Sequence, residues 1–289
     1  MAKYTKRELI ASYAIDWTLA ALFMVTFLVT NALLTPFNRR FSLEDKSIQY
    51  PFAEHERVPL WLCFALAVIL PAAVISVIAV FFRRSLHDLH HGLLGLCLTI
   101  TLTIMVTEAI KTAVGRPRPD FIDRCQPVAG SQDDPVFGLS NSTICTQTDK
   151  YIMNDGYKSM PSGHSSTSFA GLGYLSLYLA GKLHVFDRKG HTYKSLVITL
   201  PLIGAALIAI SRTEDYRHHW QDITVGGIIG LVFAYFSYRQ YYHTLESRQS
   251  HLPFKHRLHH SDLVRHNGNL RDIVVDSTTL LRESSENSD

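Results

Sequence analysis

The chain has 289 residues, 47% of them hydrophobic, and a mean hydropathy of +0.07, unusual for a water-soluble protein of this length. Its net charge of +3 is small and scattered over loops and tail, which excludes the basic groove of a nucleic-acid-binding protein. Four cysteines are too few for a disulfide scaffold, and no internal repeat alters the reading.

Apolar residues collect in blocks that predict six transmembrane helices, at about 14–34, 59–82, 89–111, 165–183, 195–211 and 221–240. The first block, Ala14 to Leu34, is too long for a signal-peptide core and has no small-residue cleavage site at the right distance, so it is read as retained. Pro59 to Phe82 passes without a charge, enough to cross a hydrocarbon core of ~30 Å. Cys63 in this block and Cys97 in the third are read as buried, inert thiols. The third and fourth blocks are rich in Thr, Ser and Gly and the fifth is short, which suits helices packed on neighbours more than helices facing lipid all round. The expected architecture is an all-α polytopic membrane protein with an N-terminal segment 1–13, a six-helix domain 14–242 and a polar tail 243–289. That tail is basic around Lys255 to His260, then acidic and serine-rich, and its composition predicts disorder.

Basic residues near the helix ends set the orientation. With the N-terminus in the cytoplasm, one side gathers Lys3, Lys6, Arg7, Arg83, Arg84, Lys182, Arg188, Lys189 and Lys194 against only Glu8, Asp88 and Asp187. The other side carries Arg39, Arg40, Lys46 and Arg57 balanced by Glu44, Asp45, Glu54 and Glu56. The bias predicts that both termini are cytoplasmic and that the loop from Thr112 to His164 is lumenal or extracellular. This loop holds the sequon Asn141-Ser142-Thr143, an acceptor for a glycan. It also holds Cys125 and Cys145, for which an oxidising compartment leaves two states open, a bridge closing the loop or two free thiols.

Three polar clusters lie at helix ends. The first, KTAVGRPRP, puts Lys111, Arg116 and Arg118 where alternating prolines hold the chain extended; alone it reads as an ordinary charged helix end. The second, Pro161-Ser162-Gly163-His164, opens the fourth helix with backbone N–H groups and a hydroxyl suited to an anion, although Pro and Ser are also routine at helix starts. The third, SRTEDYRHHWQD, supplies Arg212, His218 and Asp222; a helix over 218–222 would set the imidazole and the carboxylate on one face. The clusters follow helix three, precede helix four and follow helix five, so all three fall on one membrane face, opposite the positive-inside side. Independent helix-end charges have no reason to gather there, whereas one composite anion site requires it.

Lys111 to Pro119 reads K-x6-R-P, Pro161 to His164 reads P-S-G-H, and Ser211 to Asp222 reads S-R-x5-H-x3-D. This set resembles the type 2 phosphatidic acid phosphatase (PAP2) superfamily, or lipid phosphate phosphatases, related in their core to vanadium haloperoxidases. The resemblance covers roughly residues 14 to 242, and RPDFIDRCQP, GLGYL and SRTEDYRHH look like the fungal diacylglycerol pyrophosphate phosphatases. It implies that Lys111, Arg118 and Arg212 bind phosphate oxygens together with the Ser162 hydroxyl and the Gly163 N–H. It further implies that His218 is the nucleophile of a phosphohistidine intermediate, that Asp222 fixes its tautomer, and that His164 is the acid for the leaving group and then the base for water. Arg116, Asp215, Arg217 and His219 miss the family spacing and are read as supporting or solvent-facing. Near these motifs no cluster of acids or Cys/His pairs offers Mg²⁺ or Zn²⁺ ligation, so neither a metal nor another cofactor is expected. The implied partners are the bilayer and phosphorylated lipids, with diacylglycerol pyrophosphate and phosphatidate as substrates, and fungal relatives imply ER, Golgi or vacuole. The alternatives are a sphingoid-base or polyprenyl phosphate phosphatase on the same motifs, and a catalytically idle lipid-binding or transport protein. Oligomeric state is not legible.

Overall fold

A backbone in hydrocarbon must satisfy its own N–H and C=O groups, and the apolar runs of this chain accordingly become long helices. The structure, a computed structural model, describes residues 6–187 and 189–255. In chain order it contains α1 (Lys6–Leu33), α2 (Leu60–Phe64), α3 (Leu70–Val77), α4 (Leu86–Val114), the short α5 (Phe121–Cys125) and α6 (Lys150–Gly156), then α7 (Gly163–Leu183), α8 (Thr192–Glu214) and α9 (Trp220–Tyr241). Helices α2 and α3 belong to one continuous stretch, Leu60–Phe82, in which each is followed by a π-helical turn. Among the described residues the only β pairing is isolated bridges. Residues 18–253 form one compact unit; the first turns of α1, through Trp17, and residues 254–255 belong to a second.

Four helical stretches, Ala11–Leu33, Leu60–Phe82, Leu86–Val114 and Thr192–Glu214, are long and apolar enough to cross a membrane. The helix over 192–214, expected to be short, has 23 residues and runs through Pro201. Helices α7 and α9 fall outside that set because their small and polar residues face protein. α7 packs on α9, α8 and α4 and buries Ser165, Ser166, Ser168 and Ser176. The contact is close enough that a Cβ on Gly171 would lie 1.6 Å from the Ala67 carbonyl oxygen, and one on Gly230 2.3 Å from that of Ser166. Small residues let membrane helices approach backbone to backbone in this way.

The segments joining these helices at one end are built structure. Gly115 ends α4 at φ 58°, where a Cβ would lie 1.8 Å from the Phe37 carbonyl oxygen, and Phe37 N donates to Thr112 O at 3.0 Å. Phe41, Ile48, Phe121, Cys125 and Tyr157 form a small core there. Asp133 ties it together by accepting from the Ser42 and Ser140 hydroxyls, each at 2.6 Å. Cys125 and Cys145 are bonded, with Cα atoms 4.7 Å apart. Asn141 is exposed, its side chain accepting from Thr143 N at 2.9 Å.

At the opposite end the packed chain runs past 242, where the tail was expected to begin. Residues 243–253 form turns, with Ser250 buried and Tyr242 bridged to Pro253. Lys182 Nζ donates to Asp88 at 2.6 Å and to the His251 carbonyl at 2.7 Å, and the Tyr178 and Tyr242 hydroxyls donate to the same carboxylate. A buried ion pair holds the segment, a force that hydropathy does not register. Residues 256–289, the bulk of the expected tail, lie outside the described residues, as do residues 1–5 and Arg188. Residues 6–13, expected to precede the first helix, are already helical.

Gly171→Ala is expected to lower the thermal unfolding midpoint in detergent by an overpacking cost of about 1–3 kcal/mol. Gly204→Ala, whose added Cβ would meet only Leu172 Cδ1 at 3.6 Å, is expected to leave the midpoint unchanged.

Candidate active site

Successive long helices reverse direction, so the last turns of α4 and α8 meet the first turns of α7 and α9. Lys111 closes α4, Arg212 closes α8, His164 opens α7 and Asp222 opens α9. A cavity of about 400 Å³ at this end is lined by Lys111, Arg118, Gly163, His164, Arg212 and His218, together with Glu56, Glu108, Arg124, Asp155 and Arg217. Six of the eight catalytic and phosphate-binding residues expected from the motifs therefore share one wall; Ser162 and Asp222 do not line it.

The cations are braced by carboxylates and backbone carbonyls. Arg118 Nε donates to the Asp155 carbonyl and Nη2 to its carboxylate, both at 2.7 Å, while Nη1 donates to the Arg217 carbonyl at 3.2 Å. Arg212 Nη1 donates to the Val58 carbonyl at 2.9 Å and to Glu56 at 3.2 Å, with Asp215 3.4 Å from its Nη2. The Lys111 side chain has no hydrogen-bond or ion-pair partner among the described residues, and its Nζ lies 3.7 Å from where a Gly163 Cβ would be. Asp215, read as supporting, also pairs with Arg57 at 3.1 Å.

His218 Nδ1 donates to the Ser159 carbonyl at 2.6 Å, which leaves Nε2 of the neutral ring with its lone pair. The Ser159 carbonyl, and not Asp222, sets this tautomer: the Asp222 carboxylate is 4.0 Å from Nδ1. The reason is local. Residues 218–222 are not one helix, because His219 is the N-cap of α9 and Asp222 closes the capping box by accepting from His219 N at 3.0 Å. Asp222 also accepts from Arg116 at 2.7 Å and from the Ser159 hydroxyl at 2.5 Å. It thus holds the residue whose carbonyl orients His218.

His164 Nε2 donates to the Val58 carbonyl at 3.0 Å, leaving Nδ1 as the available nitrogen. Ser162, expected to donate to an anion, is fully buried as the N-cap of α7, and its backbone N–H donates to the Asp222 carbonyl at 2.9 Å. Among the described residues no three His, Cys, Asp or Glu side chains group as metal ligands.

The motifs did not point to Asp155, Glu56, Ser159 or Arg124. Asp155 lies in the short α6 and Glu56 in the segment before α2, and no local spacing marks either. Arg124 had one available signal, its place beside Cys125 in RPDFIDRCQP.

Residues 92–245 match the PAP2 superfamily. The chain is 46% identical over 230 residues to Lipid phosphate phosphatase 2 of Arabidopsis thaliana, covering 78% of this chain and 76% of the relative. It is 40% identical over 232 residues to Diacylglycerol pyrophosphate phosphatase 1 of Saccharomyces cerevisiae, covering 79% and 78% respectively. It is also 40% identical to Probable diacylglycerol pyrophosphate phosphatase 1 of Schizosaccharomyces pombe over 80% of this chain and 82% of the relative. It belongs to the PAP2 superfamily. No solved structure matches it. With this membership, the chain is a phosphatase of an integral membrane family.

In this PAP2 phosphatase the electrostatics favour a neutral His218. Burial lowers its proton affinity first, and the positive charges of Arg118, Lys111 and Arg212 lower it further, well below the usual imidazole value. Burial alone would raise the Asp155 carboxyl, but Arg118, Arg124 and Lys111 outweigh it and hold the group at about 2, ionised at any working pH. Only a deprotonated imidazole offers its lone pair, so any step that uses His218 Nε2 is expected to give kcat/KM an acid limb below pH 6.5. Lys111→Gln removes one of the charges that disfavour the imidazolium and is expected to move that limb to higher pH, as a pH–rate profile of phosphate release would record.

Proposed function

We propose that the chain is a metal-independent lipid phosphate phosphatase that converts diacylglycerol pyrophosphate to phosphatidate and phosphatidate to diacylglycerol. The single observation that carries this reading is the convergence of Lys111, Arg118, Arg212, His164 and His218 on one cavity. The cations bind the equatorial oxygens and offset the charge that grows on them. His218 Nε2 attacks phosphorus, a P–N bond forms, and the bond to the leaving oxygen breaks in line. His164 delivers a proton to that oxygen from Nδ1, its proton affinity raised by the arriving phosphate dianion. It then takes a proton from the water that cleaves the phosphohistidine, which releases phosphate and restores both rings.

A lipid substrate is supported by the relatives' names and by the cavity rim. Phe27 of α1, Leu60 of α2 and Ile104 of α4 line it, so a headgroup can reach the cations while its acyl chains stay against apolar helices. The six long helical stretches suit six crossings with both termini cytoplasmic. The bonded Cys125 and Cys145 lie in the segments beside the cavity, which suits a site facing a lumen or the exterior of an endomembrane such as ER, Golgi or vacuole.

The test is phosphate release from diacylglycerol pyrophosphate and phosphatidate in detergent micelles with EDTA present. Activity is expected to survive EDTA and to fall on the order of 10³-fold or more in His218→Ala. Abolition by EDTA, or retention of activity in His218→Ala, would overturn the mechanism; release only from sphingoid or polyprenyl phosphates would overturn the substrate assignment.

A further inference from the structure

Two arginines outside the three motifs share the cavity. Arg124 and Arg217 both line it, and both lie over the same ring, that of Phe52, with guanidinium carbons 4.6 and 4.4 Å from its centroid. The carboxylate that joins them is Asp155, 2.9 Å from Arg124 and 3.6 Å from Arg217. The same carboxylate is 2.7 Å from Arg118, a motif arginine. Asp155 therefore lies at the junction of two sets of cations, one within the motifs and one outside them.

We propose that Arg124 and Arg217, on the Phe52 platform, form a second anion subsite that holds the non-reacting phosphate of a diphosphate, the phosphate between the attacked group and the diacylglycerol.

The inference rests on the phosphatase reading and deepens it. A monoester brings about two negative charges, which the motif cations already meet; a diphosphate monoester brings about one more, and its second phosphate needs donors of its own. A planar guanidinium offers a fork that matches phosphate oxygens, and an aromatic face beneath it fixes its plane without consuming its donors. Arg124 keeps its anchor on Asp120, which accepts from Nε at 2.9 Å and from Nη2 at 3.0 Å. Arg217 is more loosely held: its Nε is buried with no partner, and its longest ion pair is the one to Asp155. The Asp155 carboxylate occupies the role that a second phosphate takes over, so diphosphate binding exchanges one anion for another among the same three arginines. No motif residue distinguishes a diphosphate from a monophosphate. This pair does.

The experiment compares binding of methylenebisphosphonate, a non-hydrolysable diphosphate, with that of orthophosphate to the full chain in detergent, and in parallel compares kcat/KM for diacylglycerol pyrophosphate with that for phosphatidate. The wild type is expected to prefer the bisphosphonate at least about tenfold, and Arg217→Gln is expected to reduce that ratio about tenfold, the loss of a charge-assisted hydrogen-bonding partner. The lipid ratio is expected to fall in step. Arg217→Lys keeps the charge without the fork and Phe52→Leu removes the platform without a charge. Both are expected to lower the ratio, and they decide the matter if Arg217→Gln does not fold. A wild type without preference, or variants that lose both anions in equal proportion, would overturn the subsite. A bisphosphonate preference that Arg217→Gln abolishes while lipid kinetics do not change would assign the subsite to free diphosphates and overturn its role toward lipid. If the wild type hydrolyses neither lipid, the phosphatase reading fails, while the binding ratio still judges the subsite.

Discussion

Five cationic side chains, Lys111, Arg118, Arg124, Arg212 and Arg217, face one cavity at the end of an apolar bundle, and their mutual repulsion is the constraint around which the site is built. Like charges a few ångströms apart with little water between them repel by several kcal/mol per pair. The chain meets this cost with carboxylates interleaved among the guanidinium groups. Asp155 serves Arg118, Arg124 and Arg217; Glu56 serves Arg212 and Arg217; Asp215 serves Arg212. These pairings fix each guanidinium, while the Lys111 side chain has no partner among the described residues. The residual positive field suits an anion and keeps His218 neutral, so the feature proposed to bind the substrate would also prepare the proposed nucleophile.

Holding those charges in register requires a rigid support, and the support is helix packing through small residues. Gly171 against Ala67 and Gly230 against Ser166 bring α7 within backbone contact of its neighbours. The Ser162 N–H bonded to the Asp222 carbonyl and the Thr107 hydroxyl bonded to Ser166 then tie the starts of α7 and α9 and the side of α4 together. Arg212 adds a link within its own turn, its carbonyl accepting from both Arg217 N and His218 N, so a cavity-lining cation and a cavity-lining imidazole share a short hydrogen-bonded loop. Tyr216, in that turn at φ 53°, stacks on Tyr50 with ring centroids 4.6 Å apart, which fixes the loop from outside.

The polar segments between helices are as much a part of the site as the helices. Asp155, Glu56, Val58 and Ser159 all come from them, and between them they orient both histidines and four of the five cations. The small core of Phe41, Ile48, Phe121 and Tyr157, closed by the Cys125–Cys145 bond, gives these segments the fixed geometry that a loop of this composition lacks by itself.

Hydropathy and motif spacing made a large part of this legible. Helix positions follow from the cost of unsatisfied backbone in hydrocarbon, which is a property of composition, and the ends fell within a few residues except for the start of α1, where the charged residues Lys6 to Glu8 extend the helix ahead of its apolar run. The grouping of Lys111, Arg118, His164, Arg212 and His218 followed from counting crossings, since alternate helix ends must meet. What orients His218 was beyond that reach. A four-residue spacing from His218 to Asp222 looks like one helical face, but whether the helix begins before or after the histidine depends on where the capping box closes. Once His219 takes the cap, Asp222 turns to Arg116 and Ser159, and the Ser159 carbonyl takes the imidazole. The sequence by itself determined which residue types stand at each helix end and on which side of the bundle they emerge, because burial and chain reversal are local and additive. Only the tertiary structure decided which oxygen orients His218, which carboxylates restrain the cations and that Arg124 and Arg217 join them, because those pairings link segments tens of residues apart and depend on backbone positions that no local pattern encodes.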